Sequence, residues 1–225
     1  MAQRSLYFCM RSVTLRCSQC KRLCENQMNQ SVTDQDVLDA YQKVTKEIDV
    51  ETRRLQVQIG GSPCPANCYD CCHNTATMTI SEIEARDLRI GLQKLPKEIQ
   101  SHILEKACKS ITKLEAAGFL EENTPEASGM DMVDALKGTP EGACPMLVGG
   151  VCSVYNHRPI ICRVWGYPMN NGNEIGCCWK TFIGRRKEYT PIQYNRYWEE
   201  CRDLSKATGN ISRTPNCYLV KNLLS

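Results

Sequence analysis

From Asp34 to about Ile59 the apolar residues Val37, Tyr41, Val44, Ile48, Leu55 and Ile59 recur at intervals of three, four and seven. That spacing lines one face of an α-helix. Ser31 and Asp34 stand where a starting cap belongs, and "GGSP", residues 60 to 63, ends the pattern. Next, "TATMTI" alternates like a short strand, and Ser81 with Glu84 makes a capping box that opens a helix through about Leu92. Pro96 opens another, with Ile99, Ile103, Ala107, Ile111 and Leu114 inward and Gly118 at its end. Cys108 and His102 on this helix read as packing or surface residues.

Residues 121 to 142 are acidic, carry Pro and Gly and have little period, so they read as a connection in which Met130, Met132, Val133 and Leu136 make one helical turn. Thr190 and Pro191 then start a helix with Tyr194, Trp198, Cys201 and Leu204 on one side. The pattern predicts a mainly α fold: a small helical scaffold with irregular cysteine-rich loops that bind metal. Residues 31 to 225 form one domain with its core at about 60 to 180, preceded by a basic leader, residues 1 to 30.

The net charge of +3 is uneven, because residues 1 to 25 hold Arg4, Arg11, Arg16, Lys21 and Arg22 against Glu25. The rest is nearly neutral, which argues against a general phosphate-binding face. The leader reads as a disordered or cleaved segment, and its composition is compatible with an organellar transit peptide. A second reading gives Cys17, Cys20 and Cys24 to another metal site. "SLYFCM" is too short for a secretory signal and no later run reaches transmembrane length. The expectation is a soluble intracellular protein without a membrane partner, cytoplasmic, or organellar if the leader is a transit peptide.

Compartment decides what 16 cysteines against three histidines are for. Inside cells clustered thiols bind metal more often than they form disulfides. Two blocks stand out. "CPANCYDCC" holds Cys64, Cys68, Cys71 and Cys72, and the second block holds Cys144, Cys152, Cys162 and the pair Cys177 and Cys178. These nine thiols exceed one tetrahedral ion, and thiolates suit zinc and iron–sulfur clusters alike. Adjacent thiols point apart on extended backbone, so each pair fits two metal centres or a bridged cluster better than one ion.

Burying so many thiolates requires cations and donors nearby. Arg158 and Arg163 flank Cys162 and could supply them; His73 and His157 are either ligands or outer partners, and Tyr155 and Trp165 are expected to wall the site from water. The competing reading of the arginines is surface pairing with carboxylates.

"CPANCYDCC" followed by "CPMLVGGVCSVYNHRPIICRVW" resembles the YkgJ-like cysteine-cluster family, described as a zinc- or iron-chelating domain, over about residues 64 to 180. The shared positions are Cys64, Cys68, Cys71, Cys72, Cys144, Pro145, Leu147, Cys152, Tyr155, Arg158, Pro159, Cys162 and Arg163. The family's quartet is often written with two residues after its first cysteine, where this chain has three. The resemblance implies chelation of zinc or iron and specifies no reaction.

Two alternatives compete with plain metal binding. In an iron–sulfur redox or group-transfer enzyme, Cys64, Cys68 and Cys71 would have the spacing of radical-SAM ligands. Asp70 stands where those enzymes place an aromatic, and the 153 residues after Cys72 are short for a barrel of about 250. In a nucleic-acid reader, Lys180, Arg185, Arg186 and Lys187, interleaved with Trp179, Phe182 and Tyr189, would meet phosphates and bases. That reading is disfavoured because the cysteines lack two matched C-x2-C knuckles. No phosphate loop, G-x-S-x-G elbow or H-E-x-x-H is present.

Overall fold

The longest apolar stripe becomes the longest helix. In the computed structural model, which describes residues 33–64, 68–121, 135–136, 138–178, 180–182 and 188–225, helix α1 is Asp34–Ile59 and buries Val37, Tyr41, Val44, Ile48 and Leu55. It stops at Gly60 and Gly61, whose φ angles of +77° and +150° favour glycine. Asp34 lies inside the first turn, where its carboxylate pairs with Arg86 at 2.7 Å. The leader's cysteines, the Ser31 cap and most of the acidic connection, including Met130, Met132 and Val133, lie outside the described residues.

The expected strand is shorter than its alternating run: β1 is Thr79–Ser81, paired antiparallel with β6, Arg213–Pro215. Helix α2, Glu82–Gln93, opens with the expected capping box, the Ser81 N–H donating to Glu84 Oε2 at 3.0 Å. Helix α3, Lys97–Ala116, buries Ile103, Ala107, Ile111 and Leu114, and Gly118 follows at φ +86°. His102 and Cys108 are exposed on it.

Among the described residues there are three more α-helices: α4, Ile160–Val164; α5, Tyr194–Ala207; and α6, Asn216–Leu224. Helix α5 starts three residues beyond Pro191 because the chain there is still bonded to a neighbour. The Ile192 N–H donates to the Pro168 carbonyl at 2.9 Å, and the Asn170 N–H to the Ile192 carbonyl at 2.8 Å. The buried residues of α5 are Tyr197, Cys201 and Ser205, with Tyr194, Trp198 and Leu204 packed beside them. The remaining strands are two-residue hairpin arms: β2, Leu147–Val148, with β3, Val151–Cys152, and β4, Met169–Asn170, with β5, Ile175–Gly176.

Two apolar clusters hold residues 34–225 as one unit. One joins α2, α3 and α6 through Leu88, Ile103, Leu114 and Val220, and includes Leu136 and Cys144. The other joins α1, α4 and α5 through Ile48, Ile160 and Cys201. The fold is mainly α, and its core extends beyond residues 60 to 180 on both sides. Among the described residues no helix is long and apolar enough to cross a membrane.

Candidate metal centre

A backbone bond joins the two cysteine blocks. The Cys144 N–H donates to the Cys72 carbonyl at 2.7 Å, and the Ala76 N–H to the Gly142 carbonyl at 3.1 Å beside it. Cys71 and Cys72 lie in a short 3-10 turn, Asp70–Asn74. Cys152 ends β3, Cys162 lies in α4, and Cys177 and Cys178 follow β5. These short elements bring residues far apart in sequence to one place. Gly166, at φ +105°, is so close to Cys64 that a Cβ there would come within 3.3 Å of its sulfur.

Cys64 lies within electrostatic reach of Cys68, Cys71, Cys178 and Arg158. Cys162 senses Cys71, Cys144, Cys152 and the same arginine, and Cys72 senses Cys144 and Cys162. Eight of the nine sequence-assigned thiols are therefore connected, each to at least one other, in one chain of electrostatic contacts. The ninth, Cys177, packs against the α1–α4–α5 cluster. Of the adjacent pair, Cys178 is the one that Cys64 senses.

The two arginines divide their work. Arg163 is only 7% exposed, and its guanidinium donates to both Asp49 carboxylate oxygens, at 3.0 and 3.1 Å, and to the Arg158 and Asn156 carbonyls. It fastens α4 to α1. Arg158 carries the charge that the thiols feel: it lowers the thiol pKa of Cys64, Cys71, Cys152 and Cys162 against other, larger effects. Its guanidinium lies 3.6 Å from the centre of the Tyr155 ring, and its Nε is buried without a hydrogen-bond partner. Tyr155 is 60% exposed, so it is a platform for Arg158 rather than the expected buried wall. Trp165 is half-buried.

His73 is exposed and stacks obliquely on Tyr69 at 5.2 Å. His157 is 3.2 Å from the buried Asp87 carboxylate but is not aligned for a hydrogen bond. Its side chain covers Gly91 so tightly that a Cβ on that residue would come within 2.8 Å of the His157 Cβ and 2.9 Å of its ring.

Burial pushes the Cys144 and Cys162 thiols up, and Cys152 to about 11. Cys64 rises for the same reason. Cys71 goes the other way, to about 7, because Cys72 donates a hydrogen bond to it; the shared proton and burial hold Cys72 up. Cys71 is thus the exposed, ionisable thiol at the edge of a set of protonated ones.

Of the basic stretch, Lys180 pairs with Asp70 near Cys68 and Cys178. Trp179, Arg185, Arg186 and Lys187 lie outside the described residues. Phe182 is 3% exposed with Tyr189 edge-on at 5.3 Å, so no base can stack on it.

The donor chemistry fits a soft or borderline cation. Among the described residues, however, no three His, Cys, Asp or Glu side chains stand close enough together to form a ready coordination sphere. Sequence reasoning missed three supports: Lys106, whose ammonium donates to the Cys144 carbonyl at 3.2 Å and to that of Leu147; Glu84, which also accepts the Ile160 N–H at 3.0 Å and so caps α4; and helix α6. The apolar "CYLV" after Pro215 was the available signal for α6. No family model, curated protein or solved structure matches this chain. The resemblance to the cysteine-cluster family rests on the motif residues alone.

Proposed function

We propose that this chain binds zinc or iron through Cys64, Cys68, Cys71, Cys72, Cys144, Cys152, Cys162 and Cys178, with Arg158 offsetting their charge. One observation carries the reading. Thiols from the 64–72 segment, the Cys144 loop, β3, α4 and the turn after β5 are linked pair by pair within electrostatic reach, and Cys64, Cys71, Cys152 and Cys162 among them also feel Arg158. Cysteines used only as small apolar residues would scatter through the core as Cys201 and Cys217 do.

The bound ion supplies charge that holds several thiolates together and cross-links their segments. The chain's own part follows from its geometry: the loop before β2 presents the buried Cys144, β3 and α4 the half-buried Cys152 and Cys162, and the turn at Asp70–Asn74 the half-buried Cys72 and the exposed Cys71. Because burial keeps Cys144, Cys152 and Cys162 protonated, uptake near pH 7 must release protons, and affinity must rise with pH.

The test is elemental analysis with a visible spectrum on protein purified without oxygen. Bound zinc without colour supports a structural chelator. Iron with acid-labile sulfide and brown colour moves the reading to an iron–sulfur cluster, with electron or group transfer as its consequence. Protein that is metal-free and takes up neither Zn(II) nor Fe(II) when reduced overturns it.

A further inference from the structure

Every polar atom of Cys144 is engaged. Its N–H donates to the Cys72 carbonyl at 2.7 Å, and its carbonyl accepts from Lys106 at 3.2 Å. Its sulfur accepts from Asn216 Nδ2 at 3.4 Å. A side-chain amide donor on a buried sulfur suits an electron-rich acceptor, ionised or metal-bound, better than a neutral thiol.

Asn216 contributes the donor that comes from farthest away in sequence. It opens α6, is 0% exposed, and divides its amide hydrogens between the Thr75 carbonyl at 3.2 Å and the Cys144 sulfur. Turning the amide over would set Oδ1 against that carbonyl and that sulfur, so the network fixes its orientation. In the orientation seen, Oδ1 is buried without a partner. Leaving a buried acceptor unsatisfied is unfavourable. A packing role would not require that cost, because an apolar side chain of similar size fills the same space.

We infer that Asn216 is a positioning residue of the metal centre, which holds the Cys144 sulfur as a ligand and makes the C-terminal helix part of the site. The inference rests on the chelation reading. It extends the functional unit beyond the span of the cysteine motifs, since β6 and α6 are what place Asn216. Its backbone N–H donates to the Met78 carbonyl at 2.9 Å and the next one to Ala76 at 2.8 Å, so the residue is seated by β1 and the chain leading into it.

Co(II) titrated into the reduced full-length chain is the probe, read by chelator competition and by the sulfur-to-cobalt charge-transfer band. Asn216→Leu keeps the volume and removes the donor. It should weaken Co(II) binding about 10–100-fold, as loss of an outer partner does, and shift the band. In a Cys144→Ser background the same substitution should change neither further. If Asn216→Leu loses its helicity, Asn216→Ser and Asn216→Ala decide, Ser keeping a donor and Ala having none; Ser should bind Co(II) the more tightly. Wild-type affinity and band in Asn216→Leu, an equal loss in the Cys144→Ser background, or equal Ser and Ala variants each overturn the inference while chelation stands. An unaltered chain that takes up no Co(II) overturns both readings.

Discussion

Cys144 and Cys71 belong to the same neighbourhood and are held in opposite ways. Cys144 is buried, bonded through its N–H, carbonyl and sulfur, and lies in the apolar cluster built by α2, α3 and α6. Cys162 shares that order, because Glu84 caps its helix and Arg163 ties it to α1. Cys71 is exposed, in a 3-10 turn with no buried residue. The second block is therefore fixed by the helical scaffold before any ligand arrives. The first block is joined to it by the bond from Cys144 to Cys72, by that from Ala76 to Gly142 and by the Lys180–Asp70 pair, and on the chelation proposal it would gain further order from a bound ion.

The largest expected effect tests that division. Zinc at about 1,000 times its dissociation constant should stabilise the reduced chain by about 4 kcal/mol, read as a shift in the urea midpoint. Cys144→Ser should remove most of that gain and Cys68→Ser less of it, because the fixed donor positions the ion. Equal losses would mean that the blocks are equally ordered. Ile103→Ala, on the scaffold beneath the second block, should cost about 2–5 kcal/mol with or without zinc. Equilibrium denaturation under both conditions checks it, and a cost present only with zinc would contradict a preformed scaffold.

Helices α1 to α3 were legible because each announces itself locally. The stripe from Val37 to Leu55, the Ser81–Glu84 box, and Pro96 with Gly118 are signals carried within a few turns. Gathering of the thiols was half legible. The motifs gave the residues, but their meeting depends on bonds across 72 or more positions, such as Asn216 to Cys144, which no window contains. Arg158 and Arg163 show the limit most clearly. Each flanks Cys162 within four residues, yet one lies among the thiols and the other is committed to Asp49, 114 positions away. Helix α5 began late for the same reason: Pro191 is a good local start, and the strand-like bonds of Ile192 to Pro168 and Asn170 overrode it.

Glu84→Gln is the next smaller perturbation. The carboxylate accepts from the N–H groups of Ser81 and Ile160 and so opens two helices. Gln keeps one acceptor oxygen, and the loss should be about 1–3 kcal/mol. Amide exchange at 160–164 should quicken while that at 70–74 stays unchanged in the metal-free protein. Faster exchange in both segments would mean that the second block holds the first more firmly than the few bonds between them suggest.

The smallest expected effect falls on the first block alone. In the reduced, metal-free chain Cys71 is lowered to about 7 chiefly by the hydrogen bond from Cys72. Alkylation at limiting reagent should therefore label Cys71 first, with a rate that rises through pH 7 and levels off above it, since the thiolate is the nucleophile. Cys72→Ala removes the donor, and burial then acts unopposed by it, so the midpoint must move upward, toward the ordinary thiol value of 9.0. The sign is fixed: at pH 7 the variant's Cys71 reacts more slowly than the wild type's, and at pH 10 the two converge. Peptide mapping of the labelled site across this range checks it. An unchanged midpoint would show that Arg158 and the local backbone, rather than the neighbouring thiol, keep Cys71 ionised. The adjacent cysteines would then act independently, and Cys72 would be held by the second block without influence on the first.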